Sequence, residues 1–254
     1  MTLLSDVVRT STQVSGTPSR LAKLRELADC LGRLEPGEIR VAIPYLSGEI
    51  RQGKLSLGHA SLQSARAAPA PAPTLTVPEV DRAFDELKAI KGEGAAARRE
   101  KRLAQLFERA TAEEQDFLAR LIVGELRQGA LEGVVLEAVA AAAELPAAEV
   151  RRAASVAGGI AQVAEAALTG GATALERFSI RLMQPVLPML AQPAQDVEAA
   201  LAALGTAILE WKLDGARVQV HKSGDEVRVF TRNLNEVTAA VPEIVAAARA
   251  VTAR

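Results

Sequence analysis

The sequence predicts a mainly α chain: a multi-helix domain with an internal pseudo-two-fold repeat, followed by the α+β beginning of a second domain. Three observations carry this. Residues 3–66, and again from Glu79 to about Gly170, place apolar side chains at three- and four-residue spacing, the period of helices with one buried face. The eight residues Gly48-Glu-Ile-Arg-Gln-Gly-Lys-Leu55 return 76 positions later as Gly124-Glu-Leu-Arg-Gln-Gly-Ala-Leu131. From Ala216 to Thr231 the pattern switches to two-residue alternation about Ser223-Gly224-Asp225, which reads as a β-hairpin.

In chain order, Thr17-Pro18-Ser19 caps a helix that carries Leu21, Leu24, Leu27, Ala28 and Leu31 on one face. Glu35-Pro36-Gly37 starts the next, with Ile39, Ile43 and Leu46 along it. Arg51-Gln52-Gly53 then reads as a last helical turn ending in a C-capping glycine, with a new helix near Ser56. Residues 63–78, centred on Ala-Ala-Pro-Ala-Pro-Ala-Pro, read as an extended, solvated connection. Beyond it the repeat extends to Leu27 with Leu103, Leu31 with Phe107, Glu38 with Glu114 and Leu46 with Ile122. Arg127-Gln128-Gly129 is the second corner, with its next helix near Glu132. Two copies are too few for a solenoid, and a pair about a pseudo-dyad is the simpler arrangement. Val156 to Leu168 forms a helix stopped by Gly170-Gly171, and Phe178 to Pro193 is extended under its prolines. Asp196 to Leu204 is a short helix, Ala207 to Lys212 a strand, and Pro242 opens a last helix to about Val251.

Composition narrows the class. The chain has 254 residues, 49% hydrophobic and 24% charged, with a formal net charge of -1, which is globular and long enough for two moderate domains. No apolar run reaches membrane-spanning length and the N-terminus lacks a signal pattern. The single cysteine, Cys30, sits among helical leucines as a core thiol and fits a reducing cytoplasm. His59 and His221 have no ligand-spaced partner and are given no site. Residues 1–66 hold nine Lys/Arg against six Asp/Glu, a mildly basic share of a near-neutral whole.

Chemistry concentrates at Glu210-Trp-Lys-Leu-Asp-Gly-Ala-Arg217. An amine attacks phosphorus or carbonyl carbon only when neutral, so a working lysine needs apolar walls or a neighbouring cation. Trp211 and Leu213 can supply the first, and Arg217 the second together with a phosphate clamp. At each glycine corner, backbone N–H groups at a helix N-terminus can meet a phosphate. The bland alternative is that these glycines only stop helices and the arginines only solvate their ends.

Lys212-Leu-Asp-Gly-Ala-Arg217 resembles the K-x-D-G-x-R nucleophile motif of the covalent nucleotidyltransferases, the DNA ligases, RNA ligases and mRNA capping enzymes. Phe230-Thr-Arg-Asn233 resembles their second motif. Gln184-Pro-Val-Leu-Pro-Met-Leu-Ala-Gln192 is similar to the segment leading into the catalytic domain of ATP-dependent DNA ligases, and Leu126 to Val139 to a stretch of their helical DNA-binding domain. The resemblance implies a DNA ligase that seals nicks in duplex DNA through a lysyl-AMP intermediate, with ATP and Mg²⁺ as cofactors. It implies Lys212 as the nucleophile, Glu210, Arg217 and Arg232 as nucleotide-binding residues, and Arg51, Gly53, Lys54, Arg127, Gly129 and Gly133 as contacts to nicked DNA through the minor groove and phosphates. Residues 1–178 would then be the DNA-binding domain (repeat halves 1–62 and 79–178, linker 63–78). Residues 179–195 would be the interdomain connection and 196–254 the first part of the adenylation domain. No later catalytic motif follows and Glu243 falls in the final helix, so the chain is expected to be a fragment that binds duplex weakly without sealing it. A monomer without membrane contact is expected, and recruitment of a sliding clamp stays open. Two other readings share the lysine motif: an RNA ligase or capping-type enzyme, and a non-catalytic DNA-binding clamp module.

Overall fold

The computed structural model describes residues 1–126, 132–188, 194–211 and 214–252. The chain divides into two compact units, Met1–Ala153 with Gly159–Arg177, and Ala154–Gly158 with Phe178–Arg254. The described residues are mainly helical with one small sheet.

The helices up to residue 175 are α1 (Leu4–Gly16), α2 (Arg20–Gly32), α3 (Ile39–Ser47, entered through a 3₁₀ turn at Pro36–Glu38), α4 (His59–Ser64), α5 (Val77–Ala89), α6 (Ala95–Glu108), α7 (Ala112–Val123), α8 (Glu132–Ala142), α9 (Ala147–Ala157) and α10 (Ile160–Leu175). Their starts are written in side chains. The Ser19 hydroxyl accepts from the Ala22 N–H at 3.3 Å. Thr76 with Glu79, and Thr111 with Glu114, close reciprocal capping boxes, each holding two otherwise orphaned backbone donors. Glu38 does the same for Glu35 and is itself buried, also accepting from the Thr2 N–H at 2.8 Å. Burial opposes its charge most strongly, but these donors from Thr2 and Glu35 outweigh it and hold the carboxyl below its usual range.

In the first unit α2 packs on α1 and α8, α3 on α10, and α5 on α6. Leu4, Leu27, Leu31, Ile43, Tyr45, Leu46, Phe84, Leu103 and Phe107 are fully buried, Tyr45 and Phe84 meeting edge to face at 6.0 Å. Each such burial is worth roughly 1.5–3 kcal/mol, more than any single helix propensity supplies. Cys30 lies in this core, its thiol pushed up by burial.

Several expectations about this unit need correction. The helix of the first corner ends at Gly48, not Gly53. Gly48 takes φ 83°, its N–H and that of Glu49 closing onto Tyr45 and Pro44, so the helix stops there. Ile50 to Gly53 is a separate turn closed by the Gly53 N–H on the Ile50 carbonyl at 3.1 Å. The following helix starts at His59 after Gly58, not near Ser56, whose φ is 57°. The Pro-rich connection is mostly exposed, but it is also tied down. The buried Gln115 amide donates to the carbonyls of Phe107, Ala110 and Ala67, and Leu75 is buried with its carbonyl accepting from Leu4. The helix expected from Val156 does not begin there: Val156 lies near the end of α9, and the break precedes α10 at Gly158-Gly159. The expected stop at Gly170-Gly171 is present: Gly171, at φ 61°, ψ −151°, leaves helical geometry, so the span written as α10 is two helical stretches meeting there.

The second unit contains α11 (Val197–Leu204), capped by the Asp196 carboxylate on the Ala199 N–H at 2.7 Å, strands β1 (Val218–Ser223) and β2 (Glu226–Thr231), and α12 (Pro242–Ala250). The strands are antiparallel with Ser223 opposite Glu226, leaving Gly224-Asp225 as a two-residue loop. Val227, Val229 and Phe230 are buried, and α12 packs on the hairpin. The Lys222 ammonium donates to the Arg249 carbonyl at 2.8 Å and to that of Val251, a cation at the negative end of α12. The strand expected from Ala207 to Lys212 is absent over its described residues. Residues 207–211 belong to no ladder, and Ile208, Leu209 and Trp211 are 88%, 80% and 93% exposed. An apolar run becomes a strand only against a partner, and no described residue provides one.

Candidate functional site

Lys212, Arg127 and Gly129 lie outside the described residues, and the site is built from what surrounds them in sequence. In the second unit, β1 begins one residue after Arg217, and the chain leaving β2 carries Arg232. Register places Val218 opposite Thr231, which brings these two arginines to the same end of the hairpin. Both line one cleft of about 270 Å³ with Val186, Leu187, Pro188, Val218 and Gln219. That lies at the lower edge of the ~300–1,000 Å³ usual for ligand pockets. Arg217 and Arg232 are exposed, and neither has a carboxylate partner among the described residues. Two uncompensated guanidiniums over an apolar wall form a receptor for a planar or phosphorylated anion. Glu210 is exposed and is not among the residues lining that cleft.

No three His, Cys, Asp or Glu side chains among the described residues come together to hold a metal ion. Glu243 sits in the first turn of α12.

The first unit places the corner residues unequally. Arg51 is held by two carboxylates, Asp81 at 2.8 Å and Asp85 at 2.5 Å, and these bonds raise its already high pKa, Asp81 first. The Gln52 amide donates to the same pair at 2.7 and 2.9 Å, and Lys88 donates to the Lys54 carbonyl at 2.8 Å. The turn is therefore latched onto α5. Lys54 and Gly53 are exposed, Gly53 at φ 63° with no described residue within 4 Å of a would-be Cβ. Gly133 is exposed in the first turn of α8, with no described residue within 4 Å of a would-be Cβ. His59 and Glu125, one from each corner, approach at 3.5 Å.

Residues 54–140 match the family described as DNA ligase N terminus, and residues 188–254 the family described as ATP dependent DNA ligase domain. A probable DNA ligase of Anaeromyxobacter sp. (strain Fw109-5) is 57% identical over 248 residues, which is 97% of this chain and 48% of that protein. The chain belongs to the ATP-dependent DNA ligase family. Probable DNA ligases of Sorangium cellulosum (strain So ce56), 50% identical over 99% of this chain and 48% of theirs, and of Rhodococcus opacus (strain B4), 48% identical over 96% and 49%, are similar to it as well. The chain spans about half the length of the curated ligases it matches.

Within this ligase-family chain, one residue that sequence reading missed stands out at the cleft. Gln219 pairs through its side chain with the backbone of Val186. Its partner lies 33 residues upstream, beyond any local signal. No helix of the described residues is long and apolar enough to cross a membrane.

Proposed function

We propose that this chain supplies the DNA-gripping domain and the nucleophile of an ATP-dependent DNA ligase that seals nicks in duplex DNA. The observation that carries the reading is the cleft lined by Arg232 and by Arg217, the last residue of the K-x-D-G-x-R motif, in a chain matching both ligase families. In its neutral form the Lys212 amine attacks the α-phosphorus of ATP: an N–P bond forms, the Pα–O bond to the β-phosphate breaks, pyrophosphate leaves, and the lysine proton goes to solvent. Arg217 and Arg232 neutralise charge on the nucleotide, and Glu210 reads the adenine amino group as the motif implies. AMP then passes to the 5′-phosphate of the nick, and the 3′-hydroxyl displaces it. Mg²⁺ travels with the nucleotide.

Residues 1–178 form the duplex-binding domain, with 179–195 joining it to the adenylation domain. Its halves are related by a pseudo-two-fold. In support, Gly48 and Gly124, 76 residues apart, both end helices at φ 83° and 75°, and Glu38 and Glu114 are both buried N3 residues of capping boxes. Two such corners suit the two dyad-related phosphate backbones of a duplex, contacted through the minor groove without base readout. The match of residues 54–140 to the DNA ligase N terminus favours DNA over an RNA ligase or capping role. A cytoplasmic monomer fits this reading. Nick sealing by the full-length protein, compared with its Lys212→Ala variant, tests it together with gel shifts on nicked DNA, intact duplex and RNA at two salt concentrations. Sealing unchanged by Lys212→Ala, or preference for RNA, would exclude it.

A further inference from the structure

One wall of the cleft is tied to β1 through a single side chain. The Gln219 carboxamide oxygen accepts the Val186 N–H at 3.0 Å, and its amide donates to the Val186 carbonyl at 2.5 Å. A side chain here makes the two-bond exchange that a residue of a neighbouring strand would make with its backbone. The need is local. Pro185 and Pro188 have no N–H to donate, so residues 185–188 are ill suited to joining β1 through an ordinary ladder. The same segment is fixed from elsewhere in its unit by the Leu187 N–H on the Ser155 carbonyl at 3.0 Å and by the Gln184 amide on the carbonyls of Ala157 and Val156 at 3.3 and 3.4 Å. Val186, Leu187 and Pro188 line the same cleft as Arg217 and Arg232.

We propose that Gln219 is a positioning residue for the nucleotide. It locks the 186–188 wall at a fixed separation from the two guanidiniums before ATP arrives, and it touches none of the reacting atoms. The inference rests on the reading of this cleft as the nucleotide site. Preorganisation of this kind acts on binding: the ordering is done in the free protein, so ATP need not bring it about. Loss of the clamp should therefore weaken binding and leave the chemical step at Lys212 nearly untouched.

The test is Gln219→Met in the full-length protein, a substitution of similar length and shape that can neither donate nor accept these bonds. Three readouts run together: hydrogen exchange at the Val186 amide, the ATP dissociation constant by calorimetry, and the KM and kcat of adenylylation with α-labelled ATP. Faster Val186 exchange, with Kd and KM about tenfold higher and kcat changed by no more than about twofold, is the expected result, of the order two ordinary hydrogen bonds allow. Faster exchange with unchanged Kd and KM overturns the positioning role, and unchanged exchange overturns the clamp itself. If the unaltered protein takes no label, the adenylylation reading fails, while the Kd comparison still judges Gln219: about tenfold weaker binding supports it, and equal binding overturns it.

Discussion

Gly48 stands against the backbone of Leu126: a Cβ on Gly48 would lie 2.7 Å from the Leu126 carbonyl oxygen. Gly124 ends its helix in the same left-handed conformation, yet no described residue comes within 4 Å of where its Cβ would stand. Two corners alike in sequence thus differ in packing, and the difference is measurable. Gly48→Ala should destabilise the protein by about 2–4 kcal/mol, the left-handed penalty plus a clash with a backbone atom that cannot rotate away. Gly124→Ala should cost about 1 kcal/mol, the conformational penalty alone. Urea midpoints of the two variants check this, and equal losses would refute it.

Arg51 and Arg127 occupy the same place in the repeated octapeptide, but Arg51 is bound to Asp81 and Asp85. Arg51→Ala should act on folding, costing about 1 kcal/mol by releasing the turn from α5 and leaving two carboxylates facing each other. It should leave the salt dependence of duplex binding nearly unchanged. Arg127→Ala is expected to weaken duplex binding uniformly across sequences and to lower the salt slope by about one. Fluorescence anisotropy over a salt series distinguishes the two.

Acid should weaken the start of α5. The Thr76 backbone N–H and then the Arg109 guanidinium hold the Glu79 carboxyl at about 2, against an ordinary glutamate value of 4.5. A folded-state value below the unfolded one contributes stability that is present above pH 4.5 and lost as pH falls toward 2. Glu79→Gln keeps the capping geometry but removes the charge paired with Arg109 at 2.9 Å. The variant should be less stable than the wild type by about 0.5–1 kcal/mol at neutral pH, discounted for the partial exposure of the pair, and the gap should close in acid. Urea unfolding at both pH values measures it.

How much of this was legible in the sequence follows from the range of each interaction. Ser19 as a cap, Asp196 as a cap and the hairpin turning at Gly224-Asp225 are local events, and the residues that form them are neighbours in the chain. The stop at Gly48 was readable in principle, but the octapeptide offers glycines at both 48 and 53, and only the carbonyls of Pro44 and Tyr45 decide between them. Residues 207–211 have the composition of a strand, and composition cannot supply the partner a strand requires. At the cleft, the motif named Arg217 and Arg232, and register shows why they share one end of the hairpin. Gln219 carried no mark, because its meaning lies in Val186 and in the prolines beside it.

The central claim is that Lys212 takes AMP from ATP. Full-length protein incubated with α-labelled ATP and Mg²⁺, then denatured, should carry acid-labile label that survives denaturation, maps to the peptide containing Lys212, and disappears in Lys212→Ala. Label of equal intensity on the Lys212→Ala protein, or none on the wild type, would contradict it.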